Sequence, residues 1–300
     1  MLWRMTLLTN PDRCNLQCAL CFLKQRRHQF GKGEMPWEIA EKAVRKFAVE
    51  GIREVIPSTM GEPLLYTHFE KLEALVRELH LKLNVTTNGS FPMKGARAWA
   101  QELLPISSDI KVSCWGFSEK VWKNLCVGMD VSQYKKNLRE FLQVRNELAE
   151  KFEELSKISL QMAVCKTNRD DVERVLEWAL ELGCNRVKLN RAVFLSQAEE
   201  LKKREAIPSE EFFDSEKWKN LPLKIEGTFL KPEEKWQQKN CPFLGREIWV
   251  LPDGSTEPCP DPENRFGEHL ASENRCDNCH LFPKNIQQLI SFLLKKIVKD

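Results

Sequence analysis

Strand-like and helix-like segments alternate along the first two-thirds of this 300-residue chain, and that alternation restricts the fold more than any other feature. Trp3 to Thr9 reads as a strand. Pro36 to Glu50 reads as a helix with Trp37, Ala40, Val44 and Phe47 on one face. Glu54 to Ser58, Leu83 to Thr87, Asp109 to Cys114, Ile158 to Cys165 and Arg186 to Asn190 read as further strands. Helical spacing marks His68 to His80, Glu119 to Leu125, Ser132 to Phe152 and Asp170 to Leu182, the last stopped by Gly183. Strands joined through helices pair in parallel with crossover connections. Six such strands fall short of a closed eight-stranded barrel. The expected fold is therefore α/β, a partial (β/α)6 barrel of the TIM type over residues 1–195, with its working face at the carboxyl ends of the strands.

Composition sets the outer limits. A 42% hydrophobic fraction suits one large domain with a small appendage. The formal net charge of +3 gives no basis for nucleic-acid binding. No apolar run approaches the length of a membrane span. The first residues enter a strand without the layout of a signal peptide. Eleven cysteines without such a signal are expected in a reducing, cytoplasmic setting, where clustered thiols mean metal or chemistry rather than disulfides.

Three of those cysteines, Cys14, Cys18 and Cys21, occupy the loop after the first strand. Three thiolates on one loop can hold three irons of a 4Fe–4S cluster and leave the fourth iron open. Zinc is a rival, although it usually takes four closed ligands in pairs. Ferredoxin-type clusters use other spacings and a fourth cysteine. Buried thiols without any metal are the third possibility. Other unusual loops also follow strand ends: Met60-Gly61-Glu62-Pro63, Thr87-Asn88-Gly89 and Ser113-Cys114-Trp115-Gly116. They converge on the same rim as the cysteines.

On these residues the chain resembles the radical S-adenosylmethionine superfamily. Cys14, Cys18 and Cys21 resemble its CxxxCxxC motif, and Met60-Gly61-Glu62-Pro63 resembles its Gly-Gly-Glu-type motif. Thr87-Asn88-Gly89 and Lys111-Val112-Ser113 resemble its third and fourth strand ends. The resemblance implies that the three cysteines ligate a 4Fe–4S cluster whose fourth iron is chelated by S-adenosylmethionine. It further implies that Glu62 accepts a hydrogen bond from the methionine ammonium, with Gly61 and Asn88 at motif positions around the cofactor. Ser113 and Gln161 become candidates for its carboxylate or ribose. A 5′-deoxyadenosyl radical would then take hydrogen from the substrate, and a flavodoxin or ferredoxin would supply the reducing electron. Leu20 stands where the family often has an aromatic residue, with Phe22 just after Cys21.

Four further cysteines, Cys241, Cys259, Cys276 and Cys279, lie in the tail. Ile248 to Leu251 reads as a strand and Asp253-Gly254 as a hairpin turn between the first two. Four cysteines can close a zinc site or a second 4Fe–4S cluster. The arrangement resembles the short auxiliary-cluster domain called twitch, a relative of the longer SPASM domain. The expected organisation is a barrel over 1–195, a charged connector over 196–240, and an auxiliary-cluster domain over 241–300. That domain would carry a β-hairpin and an amphipathic helix from Lys284 to Val298.

A closed auxiliary cluster implies an electron relay. The leading expectation is therefore two-electron oxidation of a small molecule, such as a sugar or aminocyclitol alcohol, as in the dehydrogenase branch of the superfamily. Epimerisation is the alternative, with Cys114 donating a hydrogen atom; Arg191, at the end of the sixth strand, is a further catalytic candidate. The early first strand is expected to leave no room for a leader-binding domain, which counts against a peptide substrate without excluding it, since a separate protein can bind the leader; a peptide-modifying enzyme of the superfamily is thus a further alternative. A zinc-binding barrel without turnover is the non-enzymatic alternative.

Overall fold

The computed structural model describes residues 2–26, 33–58, 60–231, 243 and 245–258. Six parallel strands follow one another across the sheet in chain order: β1 (Arg4–Leu7), β2 (Glu54–Pro57), β3 (Lys82–Thr87), β4 (Ser107–Ser113), β5 (Lys157–Val164) and β6 (Arg186–Arg191). Their limits lie within two residues of those expected from sequence. Three more strands extend the sheet. β7 (Lys224–Glu226) runs parallel to β6, β8 (Glu247–Val250) runs parallel to β1, and β9 (Thr256–Glu257) returns antiparallel to β8. The sheet therefore reads β9-β8-β1-β2-β3-β4-β5-β6-β7, with β9 and β7 at its two edges. This is the expected partial barrel.

The helices form where the apolar spacing is helical. Trp37–Val49 buries Ala40, Ala43, Val44 and Phe47. Val131–Ala149 is capped by Asp130, whose carboxylate accepts from the Gln133 amide at 2.8 Å. A helix absent from the sequence reading spans Gly95–Leu103 and buries Ala96, Trp99, Ala100 and Leu103. Among the described residues, no helix is long and apolar enough to cross a membrane.

The two faces of the sheet differ sharply. Met5, Leu7, Val55, Leu83, Val85, Ile110, Val112, Ile158, Leu160, Val187 and Leu189 are buried in the core shared with the helices. The alternate positions carry a polar network instead. Arg4 pairs with Glu247 and Arg186 pairs with Asp109. Glu226 meets Arg186 at 3.1 Å and Lys188 at 3.3 Å. The Lys111 ammonium donates to the Asn84 side chain, and Asn84 donates to Glu54 at 3.1 Å.

The 196–231 stretch is more structured than its charge suggests. It contributes β7, and Trp218, Leu223 and Phe229 are buried. Charged residues around these three anchors give the segment the composition of a solvated connector. The hairpin expected after residue 247 is present, and its first strand lies beside β1 in the main sheet. The Lys284–Val298 helix falls outside the described residues.

Candidate functional site

The cysteine loop leaves β1 and is fastened at several points. Cys21 precedes the short helix Phe22–Gln25, and its carbonyl accepts from the Lys24 and Gln25 amides at 2.9 and 3.2 Å. Gln25 is buried and donates to the carbonyls of Leu20 at 2.8 Å and Val193 at 3.3 Å. Its amide oxygen accepts from the Leu195 amide at 2.8 Å. Those bonds tie the loop to the segment after β6. Arg26 forms a buried ion pair with Asp12 and donates to the Pro11 carbonyl at 3.2 Å. A two-stranded antiparallel ribbon, Gln17–Cys18 with Cys126–Val127, fixes the middle of the loop.

Cys14, Cys18 and Cys21 are half-buried free thiols. Burial pushes Cys14 up to about 11. A hydrogen bond with Cys126 and burial push Cys18 up, and burial pushes Cys21 up. Metal binding would have to displace these protons, because the ligand is the thiolate. Among the described residues no three Cys, His, Asp or Glu side chains gather closely enough to hold one metal ion. A single ion needs such convergence; a cluster whose irons each take one thiolate does not. Three thiols on one anchored loop, one for each of three irons, fit a 4Fe–4S cluster with an open iron.

Glu62 is completely buried beside this loop. Its carboxylate accepts from the Asn88 amide at 2.7 Å, the Thr87 hydroxyl at 2.8 Å and the Leu64 amide at 3.3 Å. Burial pushes the carboxyl up to about 7, and those three donors oppose the shift. The backbone of Glu62 is locked to the cysteine loop. Its amide donates to the Arg13 carbonyl at 2.9 Å, and the Asn10 side chain donates to the Glu62 carbonyl at 2.5 Å. Gly61 has φ +71°, and a Cβ there would lie 2.1 Å from the Asn10 carbonyl oxygen and 2.5 Å from that of Arg13. Only glycine lets the two loops meet so closely. Asn88 completes the contact, donating to Cys14 Sγ at 3.6 Å and to the Asn15 side chain at 3.0 Å.

The remaining sequence candidates divide. Ser113 and Gln161 are opposite each other on β4 and β5, are half-buried, and their side chains have no hydrogen-bond partner among the described residues. Cys114 is not with them. It is buried in the helix-side core, its Sγ donating to the Gly116 carbonyl at 3.6 Å, and burial pushes it up to about 11. Strand alternation turns it away from the face that carries Ser113, so it is not positioned to donate hydrogen to a substrate there. Arg191 is engaged with the backbone, donating to the carbonyls of Pro208 at 2.9 Å, Ser209 at 3.2 Å and Glu211. Its guanidinium also stacks 4.8 Å from the Phe212 ring, which makes it an anchor for the 208–212 loop. Leu20 is buried with Val121, Leu125, Cys165 and Phe194. Cys241, Cys259, Cys276 and Cys279 lie outside the described residues.

Sequence reasoning did not single out Asn10 or Gln25. Both are polar residues flanking the cysteines at non-ligand positions, and only the fold shows that their amides join distant loops.

The chain is similar to several known proteins. Residues 11–148 match the model of the Radical SAM superfamily. A GTP 3',8-cyclase of Limosilactobacillus fermentum is 29% identical over 125 residues, which are 41% of this chain and 36% of the cyclase. Streptococcus suis SuiB, in its crystal structure bound to precursor peptide SuiA, superposes with a TM-score of 0.66 at 15% identity, covering 97% of this chain and 65% of that one. Native anSMEcpe with bound AdoMet superposes with a TM-score of 0.51 at 19% identity, covering 64% and 53%. At these identities the structural likeness is one of fold. The matched span, somewhat under half of the chain, contains the cysteine loop, Gly61, Glu62 and Asn88, so the likeness to the Radical SAM superfamily falls on the residues that build this site.

Proposed function

We propose that this protein is a radical S-adenosylmethionine enzyme that oxidises a small molecule, a sugar or aminocyclitol alcohol, by two electrons. The observation that carries the class is Glu62: a buried carboxylate held by three donors and fastened through its own backbone to the loop that bears three free thiols. Cys14, Cys18 and Cys21 would each hold one iron. Glu62 would receive the methionine ammonium, with Gly61 setting its approach and Asn88 orienting both the carboxylate and Cys14. Ser113 and Gln161, whose side chains have no hydrogen-bond partner among the described residues, are suited to the carboxylate or ribose. The cluster, when bound, supplies the electron that cleaves S-adenosylmethionine. The protein's task is to fix the cofactor and keep water from the strand-end rim.

Oxidation in particular rests on the tail. Cys241, Cys259, Cys276 and Cys279 suffice to close a second 4Fe–4S cluster, which would take an electron from the substrate, as expected of a layout similar to 2-deoxy-scyllo-inosamine dehydrogenase. A flavodoxin or ferredoxin would reduce the first cluster. The buried position of Cys114 counts against epimerisation through that thiol. Peptide modification is the second reading, because SuiB, a relative in fold, was solved with its precursor peptide.

Anaerobic reconstitution followed by incubation with S-adenosylmethionine and reductant tests the proposal. About eight irons per chain and release of 5′-deoxyadenosine are expected. A screen of sugars, aminocyclitols and peptides then separates the two substrate classes by which one is consumed. One zinc per chain with no iron and no cleavage would sink the enzyme reading.

A further inference from the structure

The ribbon that fixes the middle of the cysteine loop carries a second thiol of its own. Its register sets Cys18 directly opposite Cys126. The neighbouring pair is hydrogen-bonded, the Ala19 amide donating to the Leu125 carbonyl at 2.9 Å. Cys18 and Cys126 therefore form the non-hydrogen-bonded pair, in which opposed Cα atoms approach to about 4.5 Å. A disulfide spans Cα separations of about 4.4–6.8 Å. The turn after Cys126 is packed onto the cysteine loop as well: Gly128 has φ +108°, and a Cβ there would lie 3.1 Å from the Asn15 carbonyl oxygen. Cys126 itself is buried at 5% exposure, while Cys18 is partly open. An oxidant would therefore meet Cys18 first and Cys126 from behind it.

We propose that Cys126 is a redox latch on the cluster loop: when Cys18 carries no iron, the two close a disulfide that blocks cluster assembly until it is reduced. The inference rests on Cys18 being an iron ligand. The chemistry is thiol–disulfide exchange with a low-molecular-weight disulfide such as oxidised glutathione. Cys18 attacks one oxidant sulfur and releases one glutathione thiol. Cys126 then attacks the mixed disulfide, a Cys18–Cys126 bond forms, and the second glutathione thiol leaves. Two protein thiols are oxidised and one oxidant disulfide is reduced, with the electrons and protons accounted for. The latch would keep an empty Cys18 off the path to irreversible sulfinic and sulfonic acids. It would reopen under the reducing conditions that the enzyme needs for turnover.

The test uses the full chain. Iron is removed with a chelator under reducing conditions, the reductant is removed, oxidised glutathione is added, and free thiols are alkylated before digestion and mass spectrometry. The expected result is a dominant cross-link between the Cys18 and Cys126 peptides, with matching loss of free thiol at both positions. The oxidised protein loses iron uptake at the first cluster on reconstitution without reductant, and a dithiol restores it. Cys126→Ser abolishes the cross-link. Alkylated Cys126 alongside Cys18 joined to Cys14, Cys21 or glutathione would overturn the latch, and this mapping on the wild-type chain does not depend on any variant folding. Failure of the fully reduced wild-type protein to take iron at Cys14, Cys18 and Cys21 would instead overturn the reading of Cys18 as a ligand, while the cross-link map would still report on the disulfide.

Discussion

Glu62 holds a carboxyl group in a site with no exposed surface, and its ionisation is set by two opposed effects. Burial pushes it up to about 7 from an ordinary 4.5, while the Asn88, Thr87 and Leu64 donors pull it down. Between those two values the folded chain keeps a proton that the unfolded chain has released. Stability of the metal-free protein is therefore expected to fall as pH rises across that window. Glu62→Gln removes this slope, which urea midpoints measured at about pH 5 and about pH 8 would reveal. An unchanged slope in the variant would assign the titration to another group. A bound ammonium favours the ionised carboxylate, so affinity for S-adenosylmethionine is expected to rise with pH through the same region. Loss of that charge-assisted contact in Glu62→Gln costs about 2 kcal/mol, roughly 30-fold in Kd. Binding isotherms on the iron-loaded variant check the figure. Glu62 was legible in the sequence because it sits in a motif two residues past Met60. Its burial and its three donors were not, because two of those donors come from Thr87 and Asn88, at the end of another strand.

At the level of elements, the cysteine loop is a strap held at both ends. Gln25 bonds to Leu20 on the loop and to Val193 and Leu195 after β6, so one side chain ties the first barrel unit to the last. Truncation to alanine would leave buried backbone groups without partners. Gln25→Ala is expected to lower stability by about 1–3 kcal/mol. It is also expected to speed iron loss to a chelator, followed by the fading of cluster absorbance. Normal stability with unchanged iron retention would show that Arg26 and the Cys18 ribbon hold the loop without Gln25. The elements themselves were largely readable. Strand limits came from β-branched runs, and the helices Trp37–Val49 and Val172–Glu181 from regular apolar spacing. Gly95–Leu103 was missed although Ala96, Trp99, Ala100 and Leu103 have helical spacing. Pro92 and Gly95 give its start the composition of a loop, and two of its four buried positions are alanines with little hydrophobic weight. Its real anchor is Trp99, which is buried against Phe69 and donates its ring N–H to the Pro92 carbonyl at 2.7 Å.

Across the whole molecule, the partial barrel has an apolar outer surface under its helices and a polar inner face, and the second could not be read from the chain. Arg4, Glu54, Asp109, Lys111, Arg186, Lys188, Glu226 and Glu247 are scattered over more than two hundred residues, and only the strand order brings them together. Taken singly, each looks like a solvent-facing residue of a half-exposed strand. Within this network Lys111 is distinctive. Its ammonium is buried and donates to a neutral amide, that of Asn84, while Asp109 pairs with Arg186 and Glu226 is shared by Arg186 and Lys188. Burial pushes Lys111 down to about 8 from 10.5, against the attraction of Asp109. Between these values the unfolded chain binds a proton that the folded chain has lost, so this group makes stability rise with pH across that window. A methionine of similar length removes the buried cation and keeps most of the packing. Lys111→Met is expected to raise the stability of the metal-free protein at neutral pH by about 1 kcal/mol, by the reasoning that well-packed apolar groups often outperform buried charges. It is also expected to flatten the rise above pH 8. Denaturant unfolding of both proteins at neutral and alkaline pH measures the two effects together. A variant that is less stable at neutral pH would show that the Lys111 ammonium is bound into the network through Asp109 and Asn84 strongly enough to offset its own desolvation.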